Sequence, residues 1–139
     1  GILRQMQVKF TPSARSVRID CDKIQTGKCT VVDHSSEWGT IHIRVNDEFI
    51  QKWLDLEEQA KAHTTNPWRS RIEDGVFHVK YDTDTMFFDE QKRLVDPVIT
   101  IGCEVILLVD VNSVYAMKGT SGISCRVHQG MVFAPECIL

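Results

Sequence analysis

Histidines stand two residues from a permanent cation at three places in the chain. The pairs are His42 with Arg44, His78 with Lys80, and Arg126 with His128. Because successive side chains of a β-strand point to opposite faces, residues two apart share a face. If the three segments are neighbouring strands, their side chains form a basic stripe that gains charge as the histidines protonate near about pH 6.5. The alternative is an ordinary solvated sheet face. The stripe requires Arg44, Lys80 and Arg126 to lie on one wall, free of carboxylate partners.

A tyrosine and a lysine flank a predicted hairpin turn. Tyr115 precedes Lys118, and Gly119 and Gly122 give the backbone the freedom that a turn needs. Sequence-independent binding of single-stranded nucleic acid needs cations along the phosphates and aromatic faces for the bases. The turn therefore predicts an aromatic and a cation at the end of a hairpin, the two groups that such binding needs. The alternative is that Tyr115 is a half-buried barrel residue.

A tryptophan and two arginines follow Pro67 in a predicted loop. An exposed Trp68 could stack on a base, while Arg69 and Arg71 contact phosphates. The alternative is that Trp68 packs over one end of the fold. Trp38, just before a predicted strand, is a further candidate stacking platform.

The elements that must position these residues are mostly strands. Alternating or β-rich segments predict strands at 7–10, 16–20, 28–33, 40–45, 76–81, 102–117 and 122–133. The segment 102–117 does not keep its alternation throughout, so we expect a bent or bulged strand with 122–133 as its antiparallel partner.

One helix is predicted over 46–63. Asn46 is a suitable N-cap, Asp47 and Glu48 favour the positive end of the helix dipole, and Pro67 lies beyond the end. This order predicts a mainly β protein, an OB-type Greek-key barrel with its main helix between the third and fourth barrel strands. An α+β sandwich or another small barrel is the alternative.

Composition indicates a soluble globular protein. With 139 residues, 42% of them hydrophobic and 25% charged, the chain suits one domain over 1–139, with N-terminal strands in 1–37 and C-terminal strands in 76–133. Its longest apolar run is too short to span a bilayer, so no membrane contact is expected. The net charge of −3 means that any basic surface must be made locally. Five cysteines without regular spacing predict a reducing, intracellular location.

Catalytic and cofactor chemistry have little support. Cys125 and His128 are three residues apart, so a strand sends them to opposite faces and breaks a Cys–His pair. Zinc could be held by His42, His78 and His128 only if their strands were adjacent, and such histidines usually have fixed partners. No phosphate-binding glycine loop or dinucleotide motif occurs. We therefore expect no enzyme activity, metal or cofactor.

The segment from about residue 40 to 133 resembles the OB-fold single-stranded-DNA-binding proteins of large DNA viruses and phages. The matching pieces are Phe88-Asp89, Val95-Asp96, Gly102 with Val105, Val114-Tyr115, Lys118, Gly122-Ile123-Ser124 and Val127-His128-Gln129. The segments FIQKWLDLEEQAKAH and NPWRSRI resemble the family's helix and the stretch after it. Two positions depart from the pattern. Tyr115 stands where the family usually has tryptophan, and Ser121 where it has an aromatic residue.

The resemblance implies a protein that coats single-stranded DNA, with RNA as an alternative ligand, during replication or recombination. It further implies replication or recombination proteins as partners, a homo-oligomer, and a nuclear or viral replication site if the protein is viral. The residues expected at the DNA are His42, Arg44, Trp68, Arg69, Arg71, His78, Lys80, Tyr115, Lys118, Arg126 and His128. The second hypothesis is an OB-fold interaction or assembly module that does not bind nucleic acid. The acidic net charge and the missing tryptophan favour it.

Overall fold

A computed structural model describes residues 7–133, which form ten strands and one α-helix. The elements are β1 (Lys9–Pro12), β2 (Val17–Asp20), β3 (Ile24–Ser35), β4 (Thr40–Arg44), α1 (Asp47–Lys61), β5 (Ile72–Glu73), β6 (Val76–Lys80), β7 (Met86–Phe88), β8 (Leu94–Val95), β9 (Glu104–Met117) and β10 (Thr120–Val132). No described helix has the length and apolar character needed to cross a membrane.

Five of the strands close into a barrel. Around the ring, β9 pairs with β3, β3 with β4, β4 with β6, β6 with β10, and β10 returns to β9. The β6–β10 pairing is parallel, with Arg126 opposite Lys80, and the other four pairings are antiparallel. The prediction of a mainly β, OB-type barrel with one main helix is confirmed.

The helix begins where the sequence predicts. Asn46 has extended backbone (φ −79°, ψ 168°), and its Oδ1 accepts a hydrogen bond from the Phe49 amide at 2.8 Å. This bond satisfies one of the free N–H groups of the first turn. The helix then runs from Asp47 to Lys61, within the predicted 46–63.

The place of the helix among the barrel strands differs from the prediction. Helix α1 lies between β4 and β5, and it therefore follows the second strand of the closed ring, not the third. The hairpin of β1 and β2 stands outside the ring, because within residues 7–133 β2 pairs only with β1 and with residues 113–114 of β9. Alternation identifies strands but not their neighbours, so it did not show which strands form the ring.

Alternation along β4 and β6 separates the core from the outer surface. Ile41, Ile43, Phe77 and Val79 point inward and are at most 1% exposed. Helix α1 covers one end, where Trp53 packs edge-on against Phe77 with 4.7 Å between ring centroids. Burying an aliphatic or aromatic side chain of this size stabilises the fold by about 1.5–3 kcal/mol. The residues between the inward ones are left on the outer face of the barrel.

The long hairpin of β9 and β10 forms as predicted, including the break in alternation. Ser113 pairs with Ser124 but Val111 with Cys125, so Asn112 is the extra residue of a β-bulge. At the tip, Lys118 (φ 50°) and Gly119 (φ 77°) form a two-residue turn with both residues in the left-handed region. This is the turn geometry that matches the twist of antiparallel strands.

Candidate nucleic-acid interface

A groove of about 600 Å³ crosses the outer face of β4 and β6. The segment 69–71 and the tip of the β9–β10 hairpin form its other walls. Its lining residues are Thr40, His42, Arg69, Ser70, Arg71, His78, Lys80, Tyr115, Met117, Lys118, Thr120 and Ser124. The fold thus brings seven of the predicted site residues to one surface: His42, Arg69, Arg71, His78, Lys80, Tyr115 and Lys118.

The groove is positively charged although the whole chain is acidic. Arg69, Arg71, Lys80 and Lys118 line it, and in the described part of the chain no carboxylate does. Within residues 7–133, none of these four cations forms an ion pair with an acidic side chain. In a chain with net charge −3, the fold has therefore concentrated unpaired cations on one face.

Two stacked histidines form part of the groove wall. His42 on β4 is directly opposite His78 on β6, with ring centroids 4.0 Å apart and the planes inclined by 9°. Burial lowers the pKa of His78, and the neighbouring His42 lowers it further. His78 is therefore neutral near pH 7. Its contribution to the positive field begins at a lower pH than that of an unperturbed histidine.

Tyr115 lies half-buried against the backbone of Gly122, its partner across the hairpin. A Cβ atom at Gly122 would come within 2.7 Å of the Tyr115 Oη and 2.8 Å of the Arg69 carbonyl oxygen. Glycine at this position lets the tyrosine ring and the 69–71 segment approach the hairpin together. Tyr115 is thus both half-buried and part of the groove wall, so the two expectations for it do not exclude each other.

Trp68 is anchored beneath the groove instead of lining it. Its ring packs against the core, and its indole Nε1 donates to Oε1 of Glu57 at 3.2 Å. Trp68 therefore follows the alternative expectation, in which it packs against the fold and is not free to stack on a base. Trp38, in contrast, is 74% exposed at the tip of the β3–β4 hairpin, two residues before the groove residue Thr40. Of the two tryptophans, Trp38 offers the free aromatic face.

Four predicted residues lie outside the groove lining: Trp68, Arg44, His128 and Arg126. Arg44 is at the other end of β4 from Thr40, with its Nη1 3.4 Å from the Asp74 carbonyl oxygen. His128 lies at a second bulge of β10, where the pairing with β9 shifts register. Arg126 and His128 are both partly exposed with the buried Val127 between them, so their period-two spacing is kept, but the groove lining does not extend to His128.

Arg126 is neutralised by a carboxylate. Its Nε donates to Asp82 Oδ2 at 3.0 Å and its Nη2 to Oδ1 at 2.9 Å, and this pairing holds the pKa of Asp82 below its usual value. The prediction that Arg44, Lys80 and Arg126 share a wall without carboxylate partners is therefore wrong for Arg126. The basic surface is instead a groove in which Arg69, Arg71 and Lys118 accompany Lys80.

Glu57, a residue of α1 that is 2% exposed, was not among the predicted site residues. Its carboxylate accepts hydrogen bonds from the backbone of Arg71 and from two tryptophan side chains. A glutamate on the apolar side of a helix was the available signal. Its position among Trp53, Leu56 and Ala60 indicates a buried charge with dedicated partners.

Cys125 is a poor candidate for a nucleophile in this geometry. Burial raises the pKa of Cys125 to about 12, which removes the thiolate that a nucleophile requires. Among residues 7–133 there is no group of three His, Cys, Asp or Glu side chains arranged to hold a metal ion.

Comparisons with known proteins identify similar structures but no similar sequences. No protein-family model matches the chain, and no curated protein matches it in sequence. A single-stranded DNA-binding protein from bacteriophage Enc34 superposes with a TM-score of 0.60 at 12% identity, covering 91% of this chain and 89% of the phage protein. A C-terminal truncation of that protein gives a TM-score of 0.61 at 10% identity, covering 96% and 98% of the two chains. The chain therefore shares its fold, an OB-type barrel, with a phage single-stranded DNA-binding protein.

Proposed function

We propose that this protein binds single-stranded DNA without sequence preference through the β4–β6 groove. The observation that carries the proposal is a groove on the outer face of two adjacent barrel strands, lined by four cations that have no carboxylate partner within residues 7–133. OB folds bind oligonucleotides on the face of their second and third strands and on the loops beside it. Strands β4 and β6 hold those positions here, and the β9–β10 turn is the loop between the fourth and fifth barrel strands. The fold shared with the phage protein supports the same function.

The cations bind the backbone. Arg69, Arg71, Lys80 and Lys118 replace counterions along the phosphates, and the released counterions make affinity depend on salt. Four such contacts on a single strand give a slope of about −2.8 for log K against log salt concentration. Within residues 7–133 none of the four cations is paired with a carboxylate. No internal ion pair therefore has to break before these cations contact the phosphates.

Aromatic side chains provide base contacts. Tyr115 lines the groove, and the exposed Trp38 stands beside its Thr40 end. Every base has a π-face, so stacking contributes about 1–3 kcal/mol per base with little dependence on sequence.

The proposed role is a binding one without catalysis. It consists of coating exposed strands during replication or recombination, with the proteins of those processes as partners.

Titration of a labelled oligothymidine, followed by fluorescence anisotropy over a range of salt concentrations, tests the proposal. Arg69→Glu combined with Lys80→Glu should abolish measurable binding at moderate salt, because two phosphate contacts become repulsions. A matched control is Lys92→Glu combined with Arg18→Glu, which makes the same change in net charge at exposed residues outside the groove lining. Equal losses in the two double variants would refute the groove as the binding site. Competition with an oligouridine decides between DNA and RNA.

An assembly module without nucleic-acid binding is the second candidate. The net charge of −3 and the tyrosine at position 115 favour it. It predicts no change in oligothymidine anisotropy at low salt, together with concentration-dependent self-association in light scattering.

A further inference from the structure

The buried carboxylate of Glu57 joins helix α1 to the segment that carries two of the groove arginines. Oε2 accepts from Trp53 Nε1 at 2.8 Å and from the Arg71 backbone N–H at 2.9 Å, while Oε1 accepts from Trp68 Nε1 at 3.2 Å. Three N–H donors therefore converge on one side chain that is only 2% exposed. Hydrogen bonds to a buried charged acceptor are the strong ones, and leaving one of their partners unpaired is costly.

The segment 67–71 depends on such outside contacts for its position. Its only strand-type pairing within residues 7–133 is the single bridge between Trp68 and Ser121. On the hairpin side, the Arg69 N–H donates to the Ser121 carbonyl at 2.8 Å and Arg71 Nε to the Ile123 carbonyl at 2.8 Å. On the helix side, the Glu57 carboxylate contacts the segment at Trp68 and Arg71. The Arg71 carbonyl oxygen also accepts from the His78 N–H at 2.9 Å. The segment is thus held by β10, β6 and α1, with Arg69 at its exposed centre.

We propose that Glu57 is a positioning residue for nucleic-acid binding, and this inference rests on the proposed function of the groove. Glu57 is not among the residues that line the groove and does not touch the ligand. It acts by fixing Trp68 and the Arg71 amide, and this places the Arg69 and Arg71 guanidinium groups along the path of the phosphates. A preorganised cation loses less conformational freedom on binding than one on a mobile loop.

Glu57→Gln tests the inference because it keeps the shape and removes one acceptor oxygen. The single amide oxygen of the glutamine accepts from the Trp53 indole N–H and the Arg71 backbone N–H. The amide NH₂ group then faces the Trp68 indole N–H, and two donors cannot form a hydrogen bond with each other. We expect the oligothymidine salt slope to change from about −2.8 toward about −1.4, with affinity falling by up to about 25-fold at about 0.1 M salt. The matched control is Glu58→Gln, the neighbouring exposed glutamate, which removes the same charge and should leave both slope and affinity unchanged.

A combined variant separates positioning from a general loss of stability. In a chain that already carries Arg69→Ala and Arg71→Ala, adding Glu57→Gln should change affinity by less than about twofold, the limit expected when nothing further is lost. If Glu57→Gln instead weakens binding equally with and without the arginines, the positioning role is refuted. Full affinity and an unchanged slope in folded Glu57→Gln refute it as well.

Trp68→Phe provides a second route if Glu57→Gln does not fold. It keeps an aromatic ring in the same packing and removes the indole N–H that reaches Glu57. The expected result is a smaller loss of affinity in the same direction, with a shallower salt slope, and an unchanged slope would overturn the inference. Failure of the wild-type chain to bind oligothymidine would refute the proposed function itself, and that result is distinct from wild-type binding unaffected by Glu57→Gln.

Discussion

Two lysines at matched backbone positions allow the groove to be separated from the overall charge of the protein. Lys118 (φ 50°) lies in the β9–β10 turn and Lys92 (φ 65°) in the turn between β7 and β8. Both are exposed and both adopt the left-handed conformation, but only Lys118 lines the groove. Asparagine tolerates this conformation well. Lys118→Asn and Lys92→Asn therefore make the same chemical and backbone change at two different places.

The expected size of the effect follows from the number of cations in the groove. Removing one of four phosphate contacts changes the slope of log K against log salt from about −2.8 to about −2.1. At about 0.1 M salt this corresponds to an affinity loss of about fivefold for Lys118→Asn. The charge of Lys92 is screened over about 10 Å at that salt concentration. Because Lys92 is absent from the groove lining, Lys92→Asn should leave both slope and affinity unchanged.

Fluorescence anisotropy of a labelled oligothymidine across a salt series measures both quantities for the two variants. Thermal unfolding of each variant checks that the two substitutions perturb the fold equally. Equal losses of affinity in Lys118→Asn and Lys92→Asn would mean that net charge, and not the groove, controls binding. An unchanged slope in Lys118→Asn would show that this turn does not contact phosphates.

Three further predictions concern the edges and the floor of the groove. Asp82→Asn should free Arg126 beside Lys80 and tighten oligothymidine binding by up to about fivefold at about 0.1 M salt, measured by the same titration; weaker binding would contradict this. Gly122→Ala should displace Tyr115 and cost about 1–3 kcal/mol of unfolding free energy in a denaturant titration, together with a loss of affinity. Because the folded state lowers the pKa of His78, the His78 contribution to stability is complete above about pH 6.5 and is lost as pH falls below it. DNA phosphates favour the protonated ring, so binding should tighten over the same pH range in which the melting temperature falls, and His78→Gln should reduce both trends.

Local patterns were sufficient to predict most of the strands and part of the candidate surface. Alternation in 40–45 and 76–81 placed His42, His78 and Lys80 on the outer face, and an N-cap with acidic residues behind it located the start of α1 at Asn46. These features depend on neighbours within a few residues. A strand keeps its period of two, and a helix start needs its cap, whatever the rest of the chain does.

The errors came from contacts between residues far apart in sequence. Arg126 meets Asp82 across 44 positions, and Asp82 follows the end of β6 in a stretch with no pattern of its own. A β-bulge at His128 shifts the pairing of β10 with β9 by one residue, and the pairing of β2 with β9 left the first hairpin outside the ring. The alternation of a single strand does not specify its pairing partners.

The sequence by itself determined which residues could form strands, where the helix starts and which side chains carry charge, because these properties are local. Only the tertiary structure decided which charges remain unpaired. Closing the barrel brought Arg69, Arg71, Lys80 and Lys118 to one groove. It also placed Arg126 beside Asp82, with which it forms an ion pair. An electrostatic surface depends on distances between side chains from separate segments, and those distances exist only once the chain has folded.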